Sequence, residues 1–348
     1  MNTVKTTLNK VANPAHILEV GMGFWASKTL LTAIKLEVFT LLGDNLLHGE
    51  EIRTRLQLHE RGFYDFMDTL VTLQFLQRER IGYSSFYENT EETALFLDKN
   101  KPSYIGGILE MANDRLYKFW GDLEEALRTG KPQNEVKYTG KPVFEAIYTQ
   151  PEVLQQFMNG MAGVQKGNFA ALAEKFPFEQ YRSLADIGGA NALLSISVAT
   201  QHPHLQITSL DLPPVEPIAL KNVEKAGLTH QITVSSLDMM SQDFPKAEVI
   251  TMGNILHDWG VADKKKLIQK AYDALPENGA LVVIENIIDD ERRHNAFGLM
   301  MSLNMLIETE GGFDYTLAEF NQWAIGAGFR STAKIHLTGP ASAVVAYK

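Results

Sequence analysis

The sequence predicts an α/β fold with a mostly parallel, doubly wound sheet, preceded by a mainly helical domain. From about residue 183, short apolar segments alternate with helical ones, which is the pattern of βαβ units. Before that point, apolar residues recur every three or four positions, as in amphipathic helices. The length of 348 residues favours more than one domain. We therefore expect two domains, residues 1–178 and residues 179–348.

Two helical stripes precede a short hairpin in the first domain. The first stripe consists of Phe24, Trp25, Leu30, Leu31, Ile34, Val38 and Leu41. The second consists of Phe63, Phe66, Met67, Leu70, Val71 and Phe75. Gly82 and the β-formers Tyr83, Phe86 and Tyr87 then predict the hairpin, which makes the unit winged-helix-like. Its second helix carries few positive charges and the first helices are apolar over more than one face, so we expect dimer packing rather than DNA contact.

The second domain is predicted element by element. Strands are expected at 183–188, 206–212, 232–238, 247–254 and 279–286. Helices are expected at 191–201, 215–227 and 262–275. The C-terminal segment 331–348 predicts two more strands, antiparallel to each other and joined by a Gly339-Pro340 turn.

Composition narrows the range of partners. Lys plus Arg is 32 and Asp plus Glu is 42, a net charge of −10 that repels polyanions, so we expect a small-molecule acceptor and no nucleic acid. There is no cysteine, which excludes disulfides, thiolate metal sites and cysteine nucleophiles. No apolar run approaches the roughly 18 residues of a membrane span, and no export signal is recognisable. We therefore expect a cytoplasmic protein without membrane contact.

Three features predict a site for an adenosine cofactor. In LADIGGANA, Gly188 and Gly189 let the backbone turn sharply beside a ligand without a Cβ clash. Asp211 ends the next strand, where an acid accepts hydrogen bonds from ribose hydroxyls. Asp238 and Met239 follow the third strand, in place for the adenine ring. All three lie at the carboxyl ends of strands, where open α/β sheets bind ligands. Spacing alone does not distinguish among adenosine cofactors.

One stretch carries a specific resemblance. Residues 249–260 read VITMGNILHDWG, and ALPENGALVVIEN follows at 274–286. Together with LADIGGANA, DLP, LDMM and SLNMLIETEGG, in that order, the sequence resembles the caffeate and acetylserotonin O-methyltransferases over its whole length. The resemblance implies a Rossmann-like domain that uses S-adenosyl-L-methionine, behind a helical, winged-helix dimerisation domain. It also implies a homodimer that forms through the N-terminal helices.

The resemblance implies roles for individual positions. His257 matches the general base, and Glu285 and Asp314 match the two acids that flank and orient it. Cofactor contacts are implied at Asp186, Gly188, Gly189, Asp211, Leu212, Asp238, Met239 and Gly253. Acceptor contacts are implied at Met161, Asp258, Met305 and Thr309.

Four positions depart from the family pattern. Ala190 and Ala192 stand where further glycines are usual, which predicts a tighter or shifted cofactor turn. Gly253 replaces a frequent lysine and removes one contact on the cofactor side. Asp314 is one methylene shorter than the usual glutamate. Each departure weakens one assignment, and none removes the base.

The residue chemistry agrees with a base at position 257. A phenol has a pKa of about 10 and imidazole about 6.5, so full proton transfer before attack would cost about 5 kcal/mol. A flanking carboxylate stabilises the imidazolium and lowers that cost.

Four alternatives stay open at this stage, although the main interpretation needs no metal. In one, which the resemblance allows, the cofactor serves a reaction other than methyl transfer. His257 and Asp258, with Glu308 or Glu310, would form a divalent-metal site for C-methylation of a 2-oxo acid. Methylation of a heterocyclic nitrogen needs no base. A non-enzymatic dimeric regulator would leave His257 idle.

Overall fold

Two structural units divide the chain after Asn113, in a computed structural model that describes residues 12–140, 148 and 151–348. The segment from Asp114 to residue 178, which we predicted as part of the first domain, groups by its contacts with the second unit. The predicted boundary after residue 178 stays a prediction.

Short helices surround a small antiparallel sheet in the first unit. The helices α1–α6 of its described part are Ala15–Lys35, Val38–Leu42, Gly49–Arg55, Phe63–Thr72, Glu91–Phe96 and Gly106–Met111. The strands β1–β3 are Leu47–His48, Leu76–Glu79 and Phe86–Asn89. β3 pairs with β1 and β2, so the predicted hairpin is confirmed, with a 3₁₀ turn at Gly82–Ser84 in its loop. The classification as a winged helix stays a prediction.

The first predicted stripe spans two helices and not one. α1 ends at Lys35 and α2 begins at Val38, because Glu37 between them adopts the left-handed φ of 59°. The stripe also divides by burial. Its later members, such as Leu31, are buried in the core of the unit, whereas Phe24 and Trp25 are 51% and 61% exposed.

Helix α1 is long and largely apolar. Among the described residues, it is the one helix whose length and composition would fit a membrane span, with a mean hydropathy of 1.2. A single helix near the N-terminus is weak evidence for a span, and an apolar helix also suits a protein interface. We infer no membrane contact from it.

Helices on both faces cover a central sheet in the second unit. Its described helices α7–α15 are Tyr117–Phe119, Leu123–Thr129, Val136–Thr139, Pro151–Lys175, Leu193–Gln201, Glu216–Lys225, Val261–Ala274, Ala296–Glu308 and Leu317–Ala327. Its strands β4–β10 are Ser183–Ile187, Gln206–Asp211, Ile232–Ser236, Val249–Gly253, Ala280–Glu285, Ser331–His336 and Ser342–Tyr347. The 3₁₀ turns are Trp120–Asp122, Phe178–Gln180 and Leu256–Asp258, and a π-helical turn at Ala112–Leu116 spans the division between the units.

The seven strands lie in the order β6-β5-β4-β7-β8-β10-β9. The first five are parallel, and β10 runs antiparallel to both β8 and β9. This confirms the predicted α/β class, the five βαβ-type strands and the final antiparallel pair.

Burial on both faces explains why the central strands are almost entirely apolar. In β8, Leu281 and Val283 pack into the core beneath α13 and α15, whereas Val282 and Ile284 pack toward α10 and α11. A parallel strand that is covered on both sides has no solvent face on which to alternate polar residues. The functional side chains therefore lie beyond the carboxyl ends of the strands, where the covering helices leave room.

Candidate active site

A glycine turn follows β4. The N–H groups of Gly188 and Gly189 both donate to the carbonyl of Leu210, at 2.8 and 3.0 Å, which folds the turn onto the neighbouring strand β5. Gly188 has a φ of +70°, and a Cβ there would meet the side chain of Ile255. A Cβ on Gly189 would collide with the hydroxyl of Ser209. Both positions therefore require glycine.

The two alanines that replace family glycines keep a glycine-like backbone. Ala190 and Ala192 have φ values of 47° and 63°, both in the left-handed region. An L-residue pays roughly 1–2 kcal/mol for this conformation. Ala192 is fully buried at the start of α11, and the N–H of Ala190 donates to Asp211 Oδ2 at 2.8 Å. These contacts hold the alanines in place.

Two predicted cofactor acids lie in different settings. Asp186 is 1% exposed, and its oxygens accept hydrogen bonds from Ser195 at 2.9 Å and Thr251 at 2.8 Å. Burial raises the pKa of Asp186 to about 6. Its carboxyl group lies against the glycine turn, 3.1 Å from the position of a Cβ on Gly189. Asp211 is only partly buried, and its carboxylate accepts the N–H groups of Ala190 and Leu212. Each of its oxygens keeps a further lone pair for a ligand hydroxyl.

The loop after β6 is fixed by its own polar contacts. Asp238 accepts hydrogen bonds from the N–H of Met240 and the hydroxyl of Ser241. The Nζ of Lys270, near the end of α13, donates to the carbonyls of Met239 and Gln242. The methyl group of Met239 lies 3.4 Å from the position of a Cβ on Gly188, so this loop and the glycine turn meet.

The turn that carries His257 follows β7. Gly253 ends the strand against the ring of Phe169, and Asn254 then takes a left-handed φ of 53°. The 3₁₀ turn Leu256–Asp258 comes next. The backbone N–H of His257 donates to Glu285 Oε1 at 2.9 Å. Glu285 therefore fixes this histidine through its main chain, not through its ring.

Two other carboxylates flank the buried imidazole ring. Nδ1 of His257 lies 3.5 Å from Asp314 Oδ1, and Nε2 lies 3.6 Å from Asp258 Oδ1. These distances suit ion pairs and are too long for well-formed hydrogen bonds. Burial opposes a charge on the ring, yet Asp258, Asp314 and Glu285 outweigh it and raise the pKa of His257 to about 10.

A lysine outside the predicted site residues completes this cluster. Lys264 in α13 is fully buried, and its Nζ donates to the carbonyls of Leu256, Trp259 and Phe313 at 2.8, 2.6 and 2.9 Å. The sequence could have indicated this lysine, because Lys264 lies on the apolar face of its helix, three residues before Leu267. A lysine on the core face of a helix needs a buried partner.

The predicted acceptor residues lie on two helices. Met305 is buried on α14, and Thr309 just beyond that helix bonds to the Met305 carbonyl and the Gly312 N–H, both at 2.8 Å. Thr309 thus shapes the turn after α14. Met161 is half-buried on α10. Its place in an acceptor pocket stays a prediction.

Sequence reasoning missed two polar neighbours of this region. Arg115 binds Glu135 in a two-pronged ion pair at 2.6 and 2.7 Å and reaches Glu308 Oε2 at 3.1 Å. The other oxygen of Glu308 is buried without a hydrogen-bond partner. The second is Tyr148, whose pKa is raised above its usual range by burial and by the charges of Asp211 and Asp258.

The donor set does not fit the alternative with a divalent metal. Within the described residues, no group of three or more His, Asp or Glu side chains is arranged to hold an ion. Glu308 is paired with Arg115, and Glu310 is exposed. The metal-assisted alternative is therefore not favoured.

Comparison with known proteins decides the family. A model described as an O-methyltransferase domain matches residues 120–330, and one described as an O-methyltransferase dimerisation domain matches residues 18–99. The chain belongs to this O-methyltransferase family. It is an S-adenosylmethionine-dependent methyltransferase, as the resemblance implied.

Three relatives illustrate the similarity of this O-methyltransferase. The tetracenomycin polyketide synthesis 8-O-methyl transferase TcmO of Streptomyces glaucescens is 35% identical over 97% of this chain and 98% of its own. Acetylserotonin O-methyltransferase of Bos taurus is 30% identical over 95% and 96%. The crystal structure of human N-acetylserotonin methyltransferase in complex with SAM has a TM-score of 0.89, with 26% identity over 98% of this chain and 99% of that chain.

The residues at the strand ends fit this cofactor. The glycine turn exposes backbone where a side chain would not fit, and Asp211 offers carboxylate lone pairs to a ribose. Met239 adds an apolar surface that meets the turn. Asp186 is fully engaged with Ser195 and Thr251, so a direct contact from it to the cofactor stays a prediction.

Replacing a flanking carboxylate tests the electrostatics of the ring. Because opposite charges favour the imidazolium, Asp314→Asn should lower the pKa of His257 from about 10 by about 1–3 units. NMR titration of the histidine ring protons measures this value. Asp263→Asn, on the accessible side of α13, is the matched control and should leave the value unchanged. An equal pKa in Asp314→Asn and the wild type would contradict the described cluster.

Proposed function

We propose that this enzyme transfers the methyl group of S-adenosyl-L-methionine to the hydroxyl of a flat aromatic metabolite, with His257 as the base that takes the hydroxyl proton. One observation carries the proposal: a buried imidazole at the end of β7 lies between two carboxylates, with ion-pair distances of 3.5 and 3.6 Å. The turn that holds it adjoins the glycine turn through Ile255, which would touch a Cβ on Gly188.

The roles of the flanking acids follow from the two ring nitrogens. Asp314 lies beside Nδ1 and favours a proton there, which leaves Nε2 as the nitrogen that accepts the acceptor's proton. Glu285 fixes the turn through the backbone N–H of His257. Asp258 lies beside Nε2, where its charge stabilises the imidazolium. Its contact with the acceptor is part of the proposal.

The raised pKa of His257 changes the energetics expected from the sequence. A ring with a pKa of about 10 matches a phenol, so proton transfer is close to balanced. The energetic cost then falls on an earlier step, because a ring with a raised pKa is mostly protonated at pH 7 and must lose that proton before it can act as a base. Turnover should therefore rise with pH through the neutral range.

When bound, S-adenosyl-L-methionine supplies a methyl group that its positive sulfur already activates. The chain's own task is then to hold the acceptor hydroxyl in line, remove its proton and exclude water. Asp211, Gly188 and Met239 form the proposed cofactor site, with Gly189, Leu212, Asp238 and Gly253 around them.

The acceptor side combines an apolar surface with a few polar groups. Met161 and Met305 suit a flat aromatic ring, because thioethers adapt to its shape. The unpartnered oxygen of Glu308 offers an acceptor for a hydroxyl or amine on the substrate. TcmO acts in polyketide synthesis, and a polyphenol of that kind has the required shape and hydroxyl groups. Cytoplasmic localisation stays a prediction.

Removing the base should separate catalysis from binding. His257→Ala should reduce turnover by about 10²–10⁴-fold while the affinity for S-adenosylhomocysteine stays nearly unchanged. The assay follows an isotope-labelled methyl group into a panel of naphthols and hydroxyanthraquinones, with and without EDTA. His230→Ala, at an exposed position, is the control. Full turnover in His257→Ala, or transfer that EDTA abolishes, would overturn the proposed role.

A change at Asp211 should act on the cofactor instead. Asp211→Ala removes a carboxylate that would accept the ribose hydroxyls, so the dissociation constant for S-adenosylhomocysteine should rise about 10–100-fold. Calorimetry measures it, and Asp211→Asn, which keeps the shape, shows the effect of charge alone. The exposed Asp243→Ala serves as control. Unchanged affinity in Asp211→Ala would place the ribose elsewhere.

We also propose a homodimer that forms through the dimerisation domain. Ile17, Leu18 and Val20 on α1 are between 60% and 74% exposed, next to the exposed Phe24 and Trp25. Light scattering should give twice the mass of one chain. The double variant Phe24→Glu, Trp25→Glu should shift the mass toward that of a single chain, whereas Tyr138→Glu in the second unit should not. A monomeric wild type would contradict this proposal.

A further inference from the structure

Among the residues that the structure describes, Lys264 is a fully buried charged group near His257 to which the proposed function gives no task. Its side chain is fully buried in the first turn of α13. Burying an ammonium group costs several kcal/mol unless hydrogen bonds and opposite charges compensate. Lysines in the same turn, Lys265 and Lys266, are exposed. The position of Lys264 therefore calls for a specific structural reason.

The hydrogen bonds of Lys264 join two separate segments. Its three N–H groups reach the carbonyls of Leu256, Trp259 and Phe313, which uses the full donor capacity of an ammonium group. Leu256 and Trp259 bracket His257 and Asp258 in the chain, and Phe313 directly precedes Asp314. One side chain thus links the turn that carries the proposed base to the segment that carries its flanking acid.

Aromatic rings close the remaining side of the ammonium group. Its Nζ lies 3.9 Å from the ring centre of Phe313 and 5.4 Å from that of Tyr315. A cation over an aromatic face is stabilised most where water is excluded. Lys264 is fully buried, so these rings and the three carbonyls stand where water would otherwise surround its charge.

Four carboxylates, each from a different element, act electrostatically on this charge. Asp258 comes from the 3₁₀ turn, Glu285 from the end of β8, Asp314 from the segment after α14, and Glu319 from α15. Burial lowers the pKa of Lys264 to about 8, and these four carboxylates oppose that shift. Three of them, Asp258, Glu285 and Asp314, are the same acids that raise the pKa of His257.

We propose that Lys264 is a positioning residue of the active site: it ties the His257 turn to the Asp314 segment, and its charge competes with a proton on His257 for the same carboxylates. This rests on the proposed role of His257. Two cations beside one set of acids repel each other, so the lysine favours the neutral ring that a base requires. In such a coupled cluster, removing one cation makes the remaining protons bind more tightly, whichever group carries them.

The decisive variant is Lys264→Met, which keeps the length of the side chain and removes the charge. With S-adenosylhomocysteine bound, the His257 ring signals of the wild type should change in two steps in an NMR titration: first where Lys264 loses its proton, then at higher pH where the ring loses its own. In Lys264→Met the first step should be missing. Turnover of a naphthol acceptor at pH 7 should fall at least tenfold, and its rise with pH should move upward. Lys264→Arg, which keeps the charge, should restore the wild-type pH profile. Lys265→Met is the matched control and should resemble the wild type.

The outcomes separate a positioning role from simple support. If Lys264→Met folds and binds S-adenosylhomocysteine but titrates like the wild type, the proposal is overturned. If neither Lys264→Met nor Lys264→Gln folds, ¹⁵N NMR of the wild-type lysine Nζ decides. The His257 ring should then shift as Lys264 titrates, and independent titrations would overturn the proposal. The ring titration does not depend on turnover, so failure of His257 as the base would be recognised separately by His257→Ala.

Discussion

The parallel pairing of β5, β4, β7 and β8 is the constraint on which the site depends. Pairing in parallel places the carboxyl ends of all four strands along one edge of the sheet. That edge gathers the glycine turn, Asp211, the His257 turn and Glu285 from segments far apart in sequence. The apolar strands hold this arrangement rigidly because helices bury them on both faces. The chemistry is thus set by positions just beyond the core.

Most of this architecture was predictable because it follows local patterns. The parallel strands are short segments rich in apolar or β-branched residues, and the helices that separate most of them follow the helical period. The glycine turn and Asp211 were recognisable for the same reason, since a turn and a strand end are local features. The break at Glu37 was not, because nothing in the stripe around it signals a left-handed backbone. Only packing against the rest of the unit determines where such a helix ends.

The charge arrangement around His257 was the least predictable part of the site. That Glu285 bonds the main chain while Asp258 and Asp314 flank the ring depends on side-chain directions after folding. Lys264 donates hydrogen bonds to carbonyls of two segments that are far apart in sequence, and no rule of residue spacing predicts such contacts. Its place on an apolar helix face was the single hint. A buried cation among acids depends on contacts between residues that are far apart in sequence. The sequence shows these residues but not their proximity.

The alanines of the cofactor turn have a consequence for ligand binding. A turn built from glycines would sample many shapes before the cofactor arrives, and each shape must be lost on binding. Ala190 and Ala192 adopt the left-handed backbone with fewer alternatives, so their ordering is largely complete when the protein folds. The free-energy cost of their left-handed backbone is therefore incurred when the protein folds and not when the ligand binds. The cofactor turn of this chain is therefore preorganised before the ligand binds.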